Sequence, residues 1–421
     1  MELYHNARKR EYRSPYGAVK TGTVVTIALD MPEAYPVYLR LWTGTETLIP
    51  MKKGAAGRFT AEVTAPETPG LVWYYFRVDT PAGTIFYGKD TGGTGKCTDQ
   101  PESWQITVYQ EQKLPEWYRN AVVYQIFPDR FARGADWLRC QENAAHPVGW
   151  KGTRRMVMQS WDDTPFYCRD EKNRVIRWPF FGGNFQGILK KLPYLKSLGV
   201  GAIYLNPIFL ASSNHKYDTA DYLTIDPGFG TEEDFQNLCA RAKEMGIRVI
   251  LDGVFSHTGD DSIYFNRWGN YPQPGAYGDT PSPCDSWYRF GDQYPAGYEC
   301  WWGVDSLPDV EEMNPDYQKL ICGENGVIRK WLRLGASGWR LDVADELPDP
   351  FIAEIRNACK TEREDVLLLG EVWEDASHKI SYDHLREYLL GQELDCTMHY
   401  PFRDGAVAFL LGKKTAGEFA E

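Results

Sequence analysis

Four short stretches carry the residues best suited to chemistry: Gly338–Glu346 (GWRLDVADE), Asp252–His257 (DGVFSH), Gly370–Trp373 (GEVW) and His215–Tyr222 (HKYDTADY). In the first, Trp339–Val343 has strand character, bounded by Gly338 and by a helix-like run after it. Residues two apart on a strand point to the same face, so Arg340 and Asp342 project together while Trp339, Leu341 and Val343 project the other way. A buried carboxylate is costly unless paired, and an adjacent guanidinium favours its ionised form. An ionised carboxylate beside a fixed arginine is what a carboxylate nucleophile needs. The same two residues would also serve as a structural ion pair at a strand end, so their companions decide between the readings. Those companions are Glu371, His257 and Asp252. Two carboxylates, an arginine and a histidine in one site can cleave an acetal: one carboxylate attacks the sugar carbon and the other protonates the leaving oxygen.

The elements that must bring these residues together alternate in type. From Ala121 onward the chain reads strand, loop, helix, repeatedly: strands at Val122–Phe127, Ala202–Leu205, Arg248–Asp252, the GWRLD segment, Val366–Leu369 and near Leu394–His399, with helices at Phe185–Leu198, Glu232–Met245, Tyr317–Leu334 and Pro350–Cys359. Alternation of this kind implies a parallel sheet, and near-continuous apolar strands are those buried on both faces. Six units with their polar residues at the strand ends point to an α/β (β/α)8 TIM barrel, whose active site lies at the C-terminal ends of its strands. The barrel domain is expected over 119–421. Residues 258–316, rich in Gly, Pro and Tyr and without periodicity, are expected to form an irregular insertion after barrel strand 3.

Residues 1–110 read differently. Thr23–Leu29, Val37–Trp42, Phe59–Val63, Leu71–Val78, Thr84–Tyr87 and Trp104–Val108 are short, β-branched or aromatic, and separated by Gly, Pro and Asp turns. This predicts an N-terminal all-β sandwich domain, joined by a linker at Glu111–Tyr118. A length of 421 residues suits two or three domains and a core that needs no metal or disulfide staple. A net charge of −12 argues against nucleic acid and anionic membrane as partners. Nine widely spaced cysteines, with no CxxC, fit reduced thiols in a cytoplasmic protein. The N-terminal stretch has no apolar core, so no secretory leader is expected, and no apolar run is long enough to span a membrane. Aromatic residues reach 14 %, which suits either a sugar-binding surface or an aromatic-rich core.

DGVFSH, GWRLDVADE and GEVW, in this order and spacing, resemble the signature regions of the α-amylase family of glycoside hydrolases. Asn214–Pro227 (NHKYDTADYLTIDP) and Leu307–Asn314 (LPDVEEMN) are similar to its cyclomaltodextrinase, neopullulanase and maltogenic amylase subgroup, which also carries an N-terminal β-sandwich with a carbohydrate-binding-like fold. The resemblance implies Asp342 as nucleophile and Glu371 as acid/base. It implies Arg340 as the residue that orients the nucleophile, His257 as a ligand of the sugar at the cleavage point, and Tyr217 as the platform under that sugar with His215 beside it. Asp252 matches a supporting carboxylate near Arg340, and Glu346 and Trp373 match positions that shape the leaving-group side. The implied activity is retaining hydrolysis of α-1,4-glucosidic bonds in cyclodextrins, maltooligosaccharides, pullulan or starch. An α-glucosidase or glucan transferase on the same scaffold is an alternative, and a non-catalytic glucan-binding relative is another.

The sequence departs from the family at five places. The loop Pro128–Ala135 (PDRFARGA) lacks the Asn/Asp-rich run that binds calcium in many relatives, and Asn184 stands where they carry Asp, so no metal or other cofactor is expected. Asp345 and His399 replace asparagines common in the subgroup. The His-Asp pair of a seventh strand has no match, which leads to the expectation of a partial sequence holding about six of eight strands. The expected partners are α-glucan oligosaccharides or cyclodextrins, with neither nucleic acid nor membrane, and the resemblance implies a homodimer as one arrangement of the complete protein.

Overall fold

The structure, a computed structural model, describes residues 2–144 and 154–420. Its contacts divide the chain into two units, one of Met1–Gln112, Trp373–Glu393 and His399–Glu421, the other of Lys113–Val372 and Leu394–Met398. The first boundary falls inside the expected linker. Two later segments within 119–421 group by contacts with the N-terminal unit.

In the first unit, Arg13–Ser14, Val24–Asp30, Arg58–Thr64 and Lys52–Lys53 form one sheet. A second sheet runs Gly95–Cys97, Gly83–Lys89, Gly70–Thr80, Trp104–Tyr109 and Val19–Lys20, with Val37–Trp42 also pairing Gly70–Thr80 and carrying Glu46–Pro50 on its far side. Burial alternates along Gly70–Thr80, which sends Val72, Tyr74, Phe76 and Val78 into the core with Ile27, Leu29, Leu39 and Val108. That period of two is the pattern of a sheet with one face buried.

The second unit is built on a parallel sheet. Its elements in chain order are β1 (Val122–Ile126), α1 (Phe185–Ser197), β2 (Val200–Leu205), α2 (Glu232–Glu244), β3 (Arg248–Gly253), α3 (Pro315–Cys322), α4 (Val327–Arg333), β4 (Gly338–Leu341), α5 (Asp349–Glu362), β5 (Leu367–Gly370) and β6 (Cys396–Thr397). The six strands pair in chain order, all parallel, and among the described residues the sheet stays open, with β1 and β6 at its edges. Every residue of β4 and β5 is buried, as strands covered on both faces must be. Ala202, Tyr204, Ile250, Leu367 and Leu369 pack together in one cluster of this sheet.

Local signals explain the helix boundaries. The Asn184 side chain caps α1, accepting from Gly187 N at 2.9 Å. Thr231 and Asp234 form a capping box at the start of α2, and Gly246, at φ 75°, sits just past its end. The expected single helix over Tyr317–Leu334 is two helices, α3 and α4. Gly323 caps the first and Gly326 precedes the second, and glycines are poor helix formers. The expected strand near Leu394–His399 narrows to Cys396–Thr397. The 258–316 segment holds only short helical turns, such as Asp285–Trp287 and Trp301–Gly303, and isolated bridges including His257 to Asp309. Two features escaped the periodicity reading: a hairpin of Phe209–Ala211 with Thr219–Ile225, and a three-stranded sheet of Arg154–Val157, Val175–Phe180 and Cys168–Arg169.

Candidate active site

The centre of the site is one guanidinium. Asp252 and Arg340 are register neighbours on β3 and β4, and Arg340 pairs with Leu369 on β5, two residues before Glu371. Alternation therefore sends Asp252, Arg340, Asp342 and Glu371 to the same face at adjacent strand ends. Arg340 Nη1 donates to Asp252 Oδ1 at 2.7 Å and to Asp342 Oδ1 at 2.6 Å, while Nη2 meets Glu371 Oε2 at 2.5 Å. Asp252, Arg340, Asp342 and Glu371 are all buried. The planar fork of arginine serves three carboxylates at once, which the point charge of lysine would not do. Strand β4 itself ends at Leu341, so Asp342 lies at the first position beyond the sheet, freed from the ladder although its N–H still reaches Gly253 O at 3.0 Å.

Arg340 favours ionised Asp342, yet burial and the neighbouring Asp252 charge outweigh the guanidinium and push the Asp342 carboxyl up to about 7. Burial also raises Asp252 above the usual carboxylate range despite Arg340. Asp252 accepts from the Tyr204 and Tyr217 hydroxyls, the latter at 3.0 Å, as well as from Arg340. It is a buried support for the other groups, as a carboxylate with three donors should be.

Tyr217 and His215 are placed by an unusual backbone. Lys216 between them sits at φ 67°, in the left-handed region, and its side chain runs inward to an ion pair with Asp226, which Arg155 also contacts at 2.5 Å. With Lys216 anchored inside, the residues on either side of it emerge together: the His215 and Tyr217 rings lie 5.9 Å apart and Trp178 meets His215 edge-on at 5.1 Å. A cavity of about 470 Å³ opens beside His215, lined by Arg169, Arg174, Trp178, Asp218, Asp260 and Trp268 among others.

His257 is placed between Ser256 and the backbone of Tyr217. It is 1 % exposed, with Nε2 at 3.1 Å from the Tyr217 carbonyl and Nδ1 at 3.1 Å from Ser256 Oγ. A carbonyl only accepts, so Nε2 carries the proton and Nδ1 accepts from the serine. Burial pushes this imidazole down to about 4, keeping it neutral. In this arrangement His257 holds the backbone of Tyr217, and both of its nitrogens are engaged within the protein.

Val343 was not singled out by the sequence. It stands at φ 32° and ψ 72°, a left-handed conformation that is a true outlier for a β-branched residue. Such strain costs of order 1–3 kcal/mol and gathers at functional sites. Here it aims the Val343 N–H at Glu371 Oε2, 3.0 Å away, so the residue after Asp342 positions the second carboxyl. Glu346, half-buried at the end of the following turn, accepts from Trp302 Nε1 at 3.0 Å. Trp373 is 44 % exposed and falls in the first unit, so the cluster described here is built from the second unit alone. Tyr204 was also missed. Its signal lay in alternation, since Tyr204 pairs with Ile250, two residues before Asp252.

The loop after β1 has its own anchor. Arg133 donates to the carbonyls of Phe181, Gln159 and Met158 at 2.6, 2.9 and 2.6 Å, and its guanidinium lies 3.8 Å from the centre of the Trp137 ring. Asn184 Oδ1 accepts from Gly134 N at 2.8 Å and its Nδ2 donates to Asp136 at 2.8 Å. These three carbonyls are thus satisfied by a guanidinium. His399, at the asparagine position of the relatives, caps a helix at Tyr400–Leu410 by accepting from Phe402 N at 3.2 Å.

Comparison with known proteins places this geometry. Residues 125–420 match the family described as Alpha amylase, catalytic domain. The chain is 37 % identical over 456 residues to an amylopullulanase of Thermoanaerobacterium saccharolyticum, covering 98 % of this chain and 34 % of that protein. It is 34 % identical over 409 residues to a cyclomaltodextrinase of Thermoanaerobacter pseudethanolicus, covering 92 % and 63 %. The solved type III pullulan hydrolase from Thermococcus kodakarensis superposes with a TM-score of 0.61 at 26 % identity, over 99 % of this chain and 68 % of that one. The chain thus spans about a third of the amylopullulanase and under two thirds of the cyclomaltodextrinase.

Proposed function

The chain belongs to the α-amylase family of glycoside hydrolases, and on that premise we propose that it contributes the catalytic centre for retaining hydrolysis of α-1,4-glucosidic bonds in cyclodextrins, maltooligosaccharides, pullulan or starch. The observation that carries this reading is the pair of carboxylates, Asp342 and Glu371, bonded to the two terminal nitrogens of one guanidinium. In a retaining glycosidase the two carboxyls lie about 5–5.5 Å apart, a spacing that adjacent strand ends reach without distortion. Asp342 attacks the anomeric carbon and forms a glycosyl ester. Glu371 gives its proton to the departing oxygen, then draws a proton from the water that hydrolyses the ester. For that step the Glu371 carboxyl must turn from Arg340 towards the glycosidic oxygen, with the Val343 N–H as its fixed partner. Tyr217, held by Asp252 and by His257 through its carbonyl, supplies an aromatic face at the mouth. The names of the relatives supply the substrate class. The same reading needs no calcium at the loop after β1, and the support is Arg133 on its three carbonyls.

The test is release of reducing ends from β-cyclodextrin, pullulan and starch by the wild-type protein and by Asp342→Asn and Glu371→Gln. Each substitution is expected to lower turnover by at least about a hundredfold with the fold intact. Near-wild-type turnover in either variant overturns the assignment.

A further inference from the structure

Arg13, in the first unit, is a buried cation that no carboxylate answers among the described residues. It is 6 % exposed. Nη1 donates to the Gln105 carbonyl at 2.8 Å and Nη2 to the Gly17 carbonyl at 2.7 Å, the Tyr16 ring centre lies 5.9 Å from the guanidinium carbon, and Nε is buried without a partner. The guanidinium thus spends its bonds on neutral carbonyls and keeps Nη protons to donate. A buried charge is costly unless an opposite charge meets it. Elsewhere that condition holds: Lys216 has Asp226, and Arg340 has three carboxylates.

Arg13 is part of the wall of a cavity of about 520 Å³. Arg8 and Lys89, both exposed, belong to the same wall, and neither makes an ion pair among the described residues. Asp90 and Asp375 also line it, but Asp90 already accepts from Lys96 at 3.2 Å and Asp375 from the Ser377 N–H at 2.9 Å. The turn Thr91–Gly93 completes this side of the wall, with Gly93 at φ 78°. A Cβ on Gly93 would lie 2.7 Å from Arg8 Cγ, so glycine is what lets the arginine stem rest on the turn. A chain of net charge −12 repels anions in general, and three cations on one cavity reverse that locally. We propose that this cavity binds a phosphate group, free or carried on a small sugar. A tetrahedral dianion engages cations arriving from several directions, whereas a planar, singly charged carboxylate is satisfied by one arginine fork. The cavity is larger than the phosphate alone requires, which leaves room for a sugar ring beside it. The site lies in the first unit and is independent of the hydrolase reading.

The experiment is titration calorimetry of the full chain with inorganic phosphate, glucose 1-phosphate and maltose at low salt. The wild-type protein is expected to bind at least one of the two phosphates with a Kd of about 1 mM or tighter. The double variant Arg8→Gln, Lys89→Gln alters exposed side chains and keeps the fold, and it is expected to weaken that binding at least about tenfold while maltose affinity stays the same. Added sodium chloride weakens phosphate binding in the wild type and leaves maltose binding unaffected. Glucose 1-phosphate bound more than about threefold tighter than phosphate assigns the cavity to a sugar phosphate, and equal or weaker binding assigns it to free phosphate. No binding of either phosphate by the wild type, or undiminished phosphate binding in the double variant, overturns the proposal.

Discussion

Replacing Arg340 by methionine removes the one cation shared by three buried carboxylates. The guanidinium bonds Asp252, Asp342 and Glu371 at 2.7, 2.6 and 2.5 Å, and Arg340 is 4 % exposed, so water does not take its place. Breaking a buried ion pair by deleting one partner costs about 3–5 kcal/mol. The loss must depend on pH. Asp342 is already pushed up to about 7 by burial and Asp252, well above its ordinary value of 3.8. A carboxyl whose folded-state value is raised contributes most to stability when protonated, below its unfolded value, and that contribution disappears as pH rises through about 7. Without Arg340 the folded state takes up the proton at still higher pH. The penalty of about 3–5 kcal/mol is therefore complete only above that higher value; it is larger at pH 8 than at pH 5.5, where Asp342 is protonated with or without Arg340 and the loss is lower by about 1–2 kcal/mol. Urea unfolding followed by tryptophan fluorescence at the two pH values measures the difference. An equal loss at both, or a larger one in acid, refutes the reasoning that like charges around Arg340 set the local energetics.

The acid limb of kcat/KM should lie near pH 7, since Asp342 must be ionised to attack, and Asp252→Asn should move it to lower pH by removing the neighbouring charge; a limb near the ordinary carboxylate value of about 4 contradicts this. Chelation with EDTA should leave the melting temperature within about 1 °C, while Arg133→Ala should lower it by several degrees, about 2–4 °C per kcal/mol lost. A large EDTA effect restored by calcium would overturn the Arg133 argument.

The catalytic cluster was legible because its residues obey strand alternation. Arg340 and Asp342 are two apart, Asp252 faces Arg340 in register, and Glu371 ends the next strand, so period two and adjacency were enough to gather them. What stayed hidden depended on backbone states outside those periods. Nothing in GWRLDVADE signals that Val343 turns left-handed to aim its N–H at Glu371, or in HKYD that Lys216 does so to bury its own side chain. The partners of His257, Ser256 and the Tyr217 carbonyl, were likewise hidden, because its motif says nothing of the loop that supplies that carbonyl. Two places illustrate the other limit: the hairpin at Phe209–Ala211 and Thr219–Ile225 is too short for periodicity, and the long apolar pattern of Tyr317–Leu334 hides the break at Gly323–Gly326. Grouping of Trp373–Glu393 with the N-terminal unit has no local cause in the sequence at all, because it is set by contacts far apart in the chain.

The central claim is that Asp342 forms a bond to sugar. A fluorinated maltosyl fluoride, which forms the glycosyl ester faster than water removes it, traps that bond for peptide mass spectrometry. The account predicts one maltosyl adduct, on the tryptic peptide Leu341–Arg356, with fragmentation placing it on Asp342. An adduct on Glu371, or turnover of α-glucan to a product of inverted anomeric configuration with no adduct, would contradict it.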